Sequence, residues 1–216
     1  MAEYLMGIDA RTGSVRVALF DFRGQNRAYA VAEYGTTYPK NGWAEQSDYE
    51  WFEALKKAIP ECIKKAGIAA DNIAAITCDA TTNTLVYLDE NDTSVRPPIL
   101  WMDVRATEEA SFIDTIREEY DATKFYKPGF RADTMVPKCM WVKKNEPENW
   151  AKTKTIMEFE DWLNWKLTGR KTVSMSVAAF RWNYDDKNGG YPVDFYNAVG
   201  PPGKSNIHVL LSSSVG

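Results

Sequence analysis

A short segment near the start of the chain carries a carboxylate, two hydroxyls and two arginines within ten residues. The sequence GIDARTGSVR, residues 7–16, lies between two stretches that are typical of β-strands. Such a hairpin aims backbone N–H groups, hydroxyls and a carboxylate at one point, which suits a phosphate chain with its magnesium ion. Asp9 would then hold the hydrated metal, and Thr12, Gly13 and Ser14 would face phosphate oxygens. A plain tight turn is the open alternative.

A second segment combines an aromatic ring with a carboxylate and an amide. The sequence GWAEQ, residues 42–46, precedes the first long helical pattern. An aromatic ring covers the apolar face of a sugar, and polar neighbours bond its hydroxyls. We therefore take Trp43, Glu45 and Gln46 as candidate sugar-binding residues. The alternative is a loop in which Trp43 simply fills the core.

A third segment, CDATTNT at residues 78–84, directly follows an apolar run that predicts a strand. Ligands of α/β sheets bind beyond the carboxyl ends of strands, so Asp79, Thr81 and Thr82 are placed to meet one. A capped turn between two strands is the rival interpretation.

A fourth segment, ILWMDVRA at residues 99–106, carries Trp101, Asp103 and Arg105 just before a helical pattern. A carboxylate there could accept bonds from sugar hydroxyls while the indole packs near the ring. The alternative is that Asp103 merely caps the helix.

The elements that position these segments follow from hydrophobic periodicity. Three strands are expected first, then a helix capped by Asp48, then an apolar strand covered on both faces, and then several helices. This order predicts an α/β fold with a mixed sheet. The expected strands cover residues 4–9, 14–21, 27–34, 73–80 and 84–89, and the expected helices cover residues 49–67, 104–120, 136–145 and 159–168.

Composition limits the classes of protein to consider. The chain has 216 residues, of which 44% are hydrophobic, and a formal net charge of -4. It carries no basic stripe for nucleic acid and no run of about 18 apolar residues for a membrane, so we expect a cytoplasmic protein with neither partner. Three widely spaced cysteines fit neither a disulfide framework nor a zinc site. The single histidine, His208, argues against histidine-based catalysis.

The order and content of these segments resemble the FGGY carbohydrate kinases over about residues 4–200. The landmarks are the hairpin at residues 7–16, the loop at 43–46, the W-x-D-x-R segment at 101–105 and the helix at 157–169. The resemblance implies a ribonuclease H-like, actin-like ATPase domain with a mixed central sheet flanked by helices. It also implies ATP and Mg2+ as cofactors and a sugar or polyol as substrate, most similar to that of the ribulokinase and pentulose kinase branch, and it leaves a homodimer open.

The resemblance assigns roles to individual residues of this sequence. Asp9 would bind the metal, and no catalytic base is expected within this chain, because the family's aspartate lies in a later glycine-rich segment. The implied cofactor-binding residues are Asp9, Arg11, Thr12, Gly13, Ser14 and Arg16, and the implied substrate-binding residues are Trp43, Glu45, Gln46, Asp79, Thr81, Thr82, Trp101, Asp103 and Arg105.

Two departures from the family pattern keep other functions open: Arg11, and the lack in this sequence of the glycine-rich segment with the catalytic aspartate. Arg11 stands where the family has glycine, and it would strain the hairpin if that position needs a positive φ. The expected layout is a sugar-binding domain at residues 1–200, followed by a tail or the start of a missing domain at 201–216. We expect the 216-residue chain to be inactive by itself. The first rival is a sugar-binding or regulatory protein without kinase activity, and the second is a structural or chaperone-like ATPase of the same fold.

Overall fold

The chain divides into two compact units in a computed structural model that describes residues 3–123, 129–188 and 190–200. Unit 1 comprises Met1–Thr37 and Gln46–Thr81, and unit 2 comprises Tyr38–Glu45 and Thr82–Gly216. The predicted tail at 201–216, including His208, lies outside the described residues. The boundary expected at residue 200 therefore stays a prediction.

Unit 1 is a mixed sheet with one long helix packed against it. Its described strands lie in the order β3-β2-β1-β4, in which β1 pairs antiparallel with β2 and parallel with β4. This arrangement confirms the α/β class and the mixed sheet. The elements are β1 (Tyr4–Ala10), β2 (Ser14–Asp21), β3 (Asn26–Glu33), α1 (Asp48–Ala66) and β4 (Ile73–Ala80).

The start of α1 differs by one residue from the prediction. Ser47, rather than Asp48, is the N-cap, and its hydroxyl accepts a hydrogen bond from the Glu50 N–H at 3.4 Å. Asp48 is instead the first helical residue, where its negative charge is favourable beside the positive end of the helix dipole. At the other end, Gly67 closes the helix in the left-handed conformation that suits glycine.

The expectation that β4 is covered on both faces is wrong for the described residues. Most of its side chains are exposed, and Ile76 retains 49% of its accessible surface. The reason is that α1 packs mainly on β2 and β3, at the opposite end of the sheet from β4. A continuous apolar run indicates that both faces of a strand can be buried. The run does not identify the element that covers those faces.

Unit 2 is built around a short antiparallel pair, β5 (Leu85–Leu88) and β6 (Thr155–Glu158), in which every residue is buried. Helix α2 is shorter than the predicted 104–120 and continues as a 3-10 turn at Arg117–Glu119. The helices predicted at 136–145 and 159–168 are confirmed, the first beginning one residue earlier. The described helices of unit 2 are α2 (Thr107–Ile116), α3 (Met135–Asn145), α4 (Pro147–Lys152), α5 (Phe159–Thr168), α6 (Met175–Arg181) and α7 (Val193–Val199).

The cysteines and helices add two facts about the described residues. Cys62 and Cys139 are buried free thiols, and Cys78 is a half-buried free thiol. None of the helices described is both long enough and apolar enough to cross a bilayer.

Candidate functional site

The hairpin at residues 7–16 places a carboxylate at the centre of three neighbouring strands of unit 1. Asp9 near the end of β1 lies opposite Arg16 of β2 and opposite Asp79 of β4. Because β1 and β4 are parallel, Asp9 and Asp79 lie at the same edge of the sheet. Thr81 continues from there, and its N–H donates to the Ala10 carbonyl at 3.3 Å. The structure thus brings together Asp9 and Arg16, predicted to bind the cofactor, with Asp79 and Thr81, predicted to bind the substrate.

Arg11 pairs with the predicted metal ligand. Its Nε atom donates to both carboxylate oxygens of Asp9, at 2.8 and 2.7 Å, and the Arg16 guanidinium lies 3.8 Å from the same carboxylate. The hydrogen bond and the charge of Asp9 raise the pKa of Arg11 above its usual value. Arg11 is not among the described residues with positive φ, so the strain considered from the sequence is absent.

Two side chains hold the backbone of the hairpin from inside unit 1. The Tyr34 hydroxyl donates to the Arg11 carbonyl, and burial raises the pKa of that phenol. The Gln46 amide donates to the Thr12 carbonyl and, at 2.8 Å, to the Thr36 hydroxyl. Gln46 also accepts from the Trp51 indole N–H at 2.9 Å. Gln46 is only 4% exposed, so in this structure it supports the hairpin rather than facing a ligand.

Several predicted sugar-binding residues lie in a buried charge cluster of unit 2. Asp103 and Arg105 form a two-point pair, with nitrogen–oxygen distances of 2.9 and 2.7 Å, and the Arg105 side chain is fully buried. Glu45 bonds Arg105 at 2.8 Å and Arg96 at 2.6 Å. Burial lowers the pKa of Arg105, but the hydrogen bonds that it donates to Asp103 and Glu45 raise it overall. The members of the cluster are Glu45, Arg96, Asp103, Arg105 and Glu146.

The polar atoms of this cluster are largely used within the chain. Asp103 accepts from the Ala44 N–H at 2.6 Å and from the Arg105 N–H at 3.0 Å. Asp103 does not cap α2, whose N-cap is Ala106 without a side-chain bond. At Gly42, a Cβ would lie 2.9 Å from Val104, and the backbone has φ +77, so both space and conformation require glycine there. The cluster therefore joins the 42–45 loop to the 99–106 segment.

Trp43 is stacked against cations of its own unit. The Arg105 guanidinium carbon lies 4.0 Å from the ring centroid and the Lys40 ammonium lies 4.5 Å from it. The Trp141 ring meets Trp43 edge-on, with ring centroids 5.0 Å apart. Such contacts fix the indole, and they occupy surface that a sugar would otherwise use.

Lys138, which the sequence analysis missed, ties two predicted sugar segments together. Its ammonium is fully buried and donates to the carbonyls of Asn83 at 2.7 Å and Leu100 at 2.8 Å. The Trp101 N–H also bonds the Thr84 hydroxyl at 3.2 Å, which holds the two segments side by side. Burial lowers the pKa of Lys138 to about 8. A lysine inside the apolar run MVPKCMWV was the available signal.

Two buried carboxylates lie at the start of α5 and were also missed. Burial raises the pKa of Glu158 to about 8 and that of Asp161 to about 7. Asp161 accepts a hydrogen bond from the Ser174 N–H at 2.7 Å. The nearby Thr84 N–H lowers the pKa of Glu158 in part. Neither carboxylate oxygen of Glu158 meets the criteria for a hydrogen bond to a partner among the described residues.

The fold and these segments define a carbohydrate kinase domain. Residues 4–214 match the model of the FGGY family of carbohydrate kinases, N-terminal domain, so the chain belongs to that family. The chain is 33% identical to the xylulose kinase of Lactococcus lactis and 30% identical to the glycerol kinase of Mycoplasma pneumoniae, covering 82% and 78% of its own length. It spans 35% and 34% of those two relatives, about a third of their length.

Solved structures show the same fold. The xylulose kinase from Rhodospirillum rubrum superposes with a TM-score of 0.81 at 22% identity, over 94% of this chain and 42% of that one. The fold is therefore the actin-like one of these kinases, as the resemblance implied.

Proposed function

We propose that this chain is the N-terminal part of an ATP-dependent kinase that phosphorylates a hydroxyl of a five-carbon ketose or pentitol. The observation that carries the proposal is the family match over residues 4–214, joined to relatives named as xylulose kinases. The proposed roles divide between the units. The hairpin of unit 1 takes the phosphate chain, and the proposed sugar residues come from unit 2 and from the end of β4 in unit 1.

The residues of unit 1 fit a magnesium nucleotide on one condition. Mg2+ usually binds one or two carboxylates together with phosphate oxygens and water, and Asp9 and Asp79 supply neighbouring carboxylates. Asp9 is paired with Arg11, so Arg11 has to exchange that carboxylate for a phosphate oxygen. When bound, the ion would neutralise charge on the phosphates, and Arg11, Thr12, Gly13, Ser14 and Arg16 would hold the chain's oxygens.

The predicted sugar residues of unit 2 fall into two groups. Trp101 is 41% exposed and Thr82 is half-buried. Lys138 joins their two segments, because it donates to the carbonyls of the neighbouring residues Asn83 and Leu100. We assign direct sugar contact to Trp101 and Thr82. Glu45, Asp103 and Arg105 are buried and paired with one another. We therefore assign them a structural role, which is to fix the loop that carries Trp43.

Gln46, Asp79 and Thr81 complete the proposed substrate set in unit 1. Asp79 is exposed at the strand end and retains a role toward substrate or metal, and Thr81 follows it two residues later. Gln46 acts indirectly, by fixing the hairpin through Thr12.

Sugar-dependent ADP release by the protein at its natural length tests the proposal. A panel of ketopentoses, pentitols and a disaccharide control should give turnover with one five-carbon ligand class. The 216-residue chain alone should bind that sugar weakly and turn over negligibly, because the family resemblance places the catalytic aspartate in a later glycine-rich segment. A ligand at one hundred times its Kd should stabilise the folded state by about 2.7 kcal/mol. Failure of every polyol to bind would refute the sugar assignment.

The alternative of a binding or regulatory protein is favoured by one observation, the Arg11–Asp9 pair at the predicted metal site. Sugar binding without any magnesium-dependent nucleotide binding would establish that alternative. Robust ADP release would exclude it.

A further inference from the structure

Arg181, the last residue of α6, reaches one of the segments that we assign to the sugar. Its Nη2 atom donates to the Thr82 hydroxyl at 3.0 Å, across 99 residues of sequence. Its Nε–H is buried and has no hydrogen-bond partner among the described residues. A buried guanidinium N–H without a partner costs free energy, so its retention calls for an explanation such as a ligand.

The neighbours of Arg181 also carry polar atoms without partners. The Asn83 side-chain oxygen is buried and unbonded within the described residues, and its backbone adopts φ 60, which is uncommon outside glycine. Glu158 is 1% exposed, and Arg181 and Lys138 are both close enough to act on its charge. Three side chains from separate parts of unit 2 thus have buried polar atoms without a hydrogen-bond partner among the described residues. They are Asn83, Glu158 and Arg181.

A small cleft next to Arg181 has room for little more than one water molecule or one hydroxyl group of a ligand. Its wall combines aromatic rings with a hydroxyl and an amide, as sugar sites do. Phe180, beside Arg181 in the chain, is 78% exposed. The cleft is lined by Phe130, Thr134, Val136, Phe180, Arg181 and Asn183.

We propose that Arg181 contacts the substrate, donating with the support of Thr82 to an acceptor oxygen of a neutral sugar, and that Glu158 is a positioning residue behind it. This proposal rests on the proposed function. The guanidinium has donors and no acceptor, so the ligand atom it meets is a carbonyl or hydroxyl oxygen. The ketopentoses and pentitols of the proposed function are neutral and offer only such oxygens.

Equilibrium binding of a ketopentose, a pentitol and an aldonate to the natural-length protein tests the assignment. Arg181→Met should weaken binding of the neutral sugar about tenfold, the loss expected for a charged hydrogen bond, while Arg181→Lys recovers part of it. In turnover, Arg181→Met should raise KM more than it lowers kcat. Arg170→Met, at an exposed arginine, is the matched control and should bind as the parent does.

The positioning role of Glu158 is tested by a double-mutant cycle. Glu158→Gln should raise KM, and adding it to Arg181→Met should cause little further loss, because both act through one contact. Full additivity would overturn the role of Glu158. If Arg181→Met does not fold, Arg181→Lys and Thr82→Val decide the matter by the same affinities.

The outcomes separate the two proposals. A parent protein that binds no polyol refutes the proposed function itself. A parent that binds a ketopentose while both Arg181 variants bind it equally well overturns the contact proposed here. Tighter binding of the aldonate than of the neutral sugar overturns the assignment of a neutral ligand.

Discussion

Two Asp-x-Arg sequences in this chain form the same ion pair in opposite surroundings. In unit 1, Asp9 and Arg11 pair at the surface, with side chains 31% and 58% exposed. In unit 2, Asp103 and Arg105 pair with no exposure at all. In a third Asp-x-Arg sequence, Asp21 pairs with Arg27 instead of Arg23. The spacing thus permits the pair, and the surroundings decide whether it forms and what its role is. A surface pair can open for a ligand, whereas a buried pair cannot open without leaving a charge in the interior.

The largest expected effect comes from a substitution that breaks the buried pair of Asp103 and Arg105. Asp103→Ala should lower the free energy of unfolding by about 3–5 kcal/mol, because it strands the Arg105 charge and removes the acceptor of the Ala44 N–H. Asp9→Ala is the matched control and should change stability little, since water solvates its partner. Chemical denaturation followed by circular dichroism measures both. Equal losses in the two variants would abolish the contrast.

A second prediction concerns the buried carboxyl of Glu158, whose pKa is raised to about 8. Its contribution to stability is complete below its ordinary pKa of 4.5 and is lost as the pH rises toward 8. Asp161, raised to about 7, acts in the same direction, whereas Lys138, lowered to about 8, restores stability above that pH. This part of the stability therefore has its minimum near pH 8.

Glu158→Gln should flatten the decline in Tm between pH 5 and pH 8 and raise Tm at pH 8. Glu118→Gln, at an exposed position, serves as the control and should retain the parental slope. An unchanged slope in Glu158→Gln would show that another group carries it.

The smallest expected effect on stability is at the surface pair, where the effect on ligand binding is informative. Arg11→Gly should leave Tm nearly unchanged and release the Asp9 carboxylate. Because Arg11 is proposed to bond a phosphate oxygen when nucleotide is bound, we expect Mn2+ with nucleotide to bind several-fold more weakly, which electron paramagnetic resonance of the ion measures. Arg23→Ala is the exposed control. Tighter binding in Arg11→Gly would instead mean that Arg11 only masks the Asp9 carboxylate.

Much of the fold followed from the sequence because its signals are local. Strand alternation gave β1 to β3, and Gly67 marked the end of α1. Covering is not a local property, and so the burial expected for β4 was wrong. The same limit applied to the site. The motifs identified Asp9 and Asp79 as candidate residues, but their proximity and their state of pairing depend on strand register and side-chain geometry that no motif encodes.

The residues missed in unit 2 share one physical trait. Lys138, Glu158 and Arg181 are charged side chains inside apolar or helical runs, far apart in sequence. Their partners include carbonyls and hydroxyls contributed by other segments, and periodicity does not carry that information. Lys138, for example, donates to two backbone carbonyls 38 and 55 residues away.

The bare outer face of β4 has a practical consequence for work with this polypeptide. Exposed alanines and Ile76 on a terminal strand form a template for intermolecular β-pairing. We therefore expect this polypeptide to self-associate in concentrated preparations. Inhibition or cooperativity seen at high protein concentration should be checked with a dilution series before it is attributed to the site.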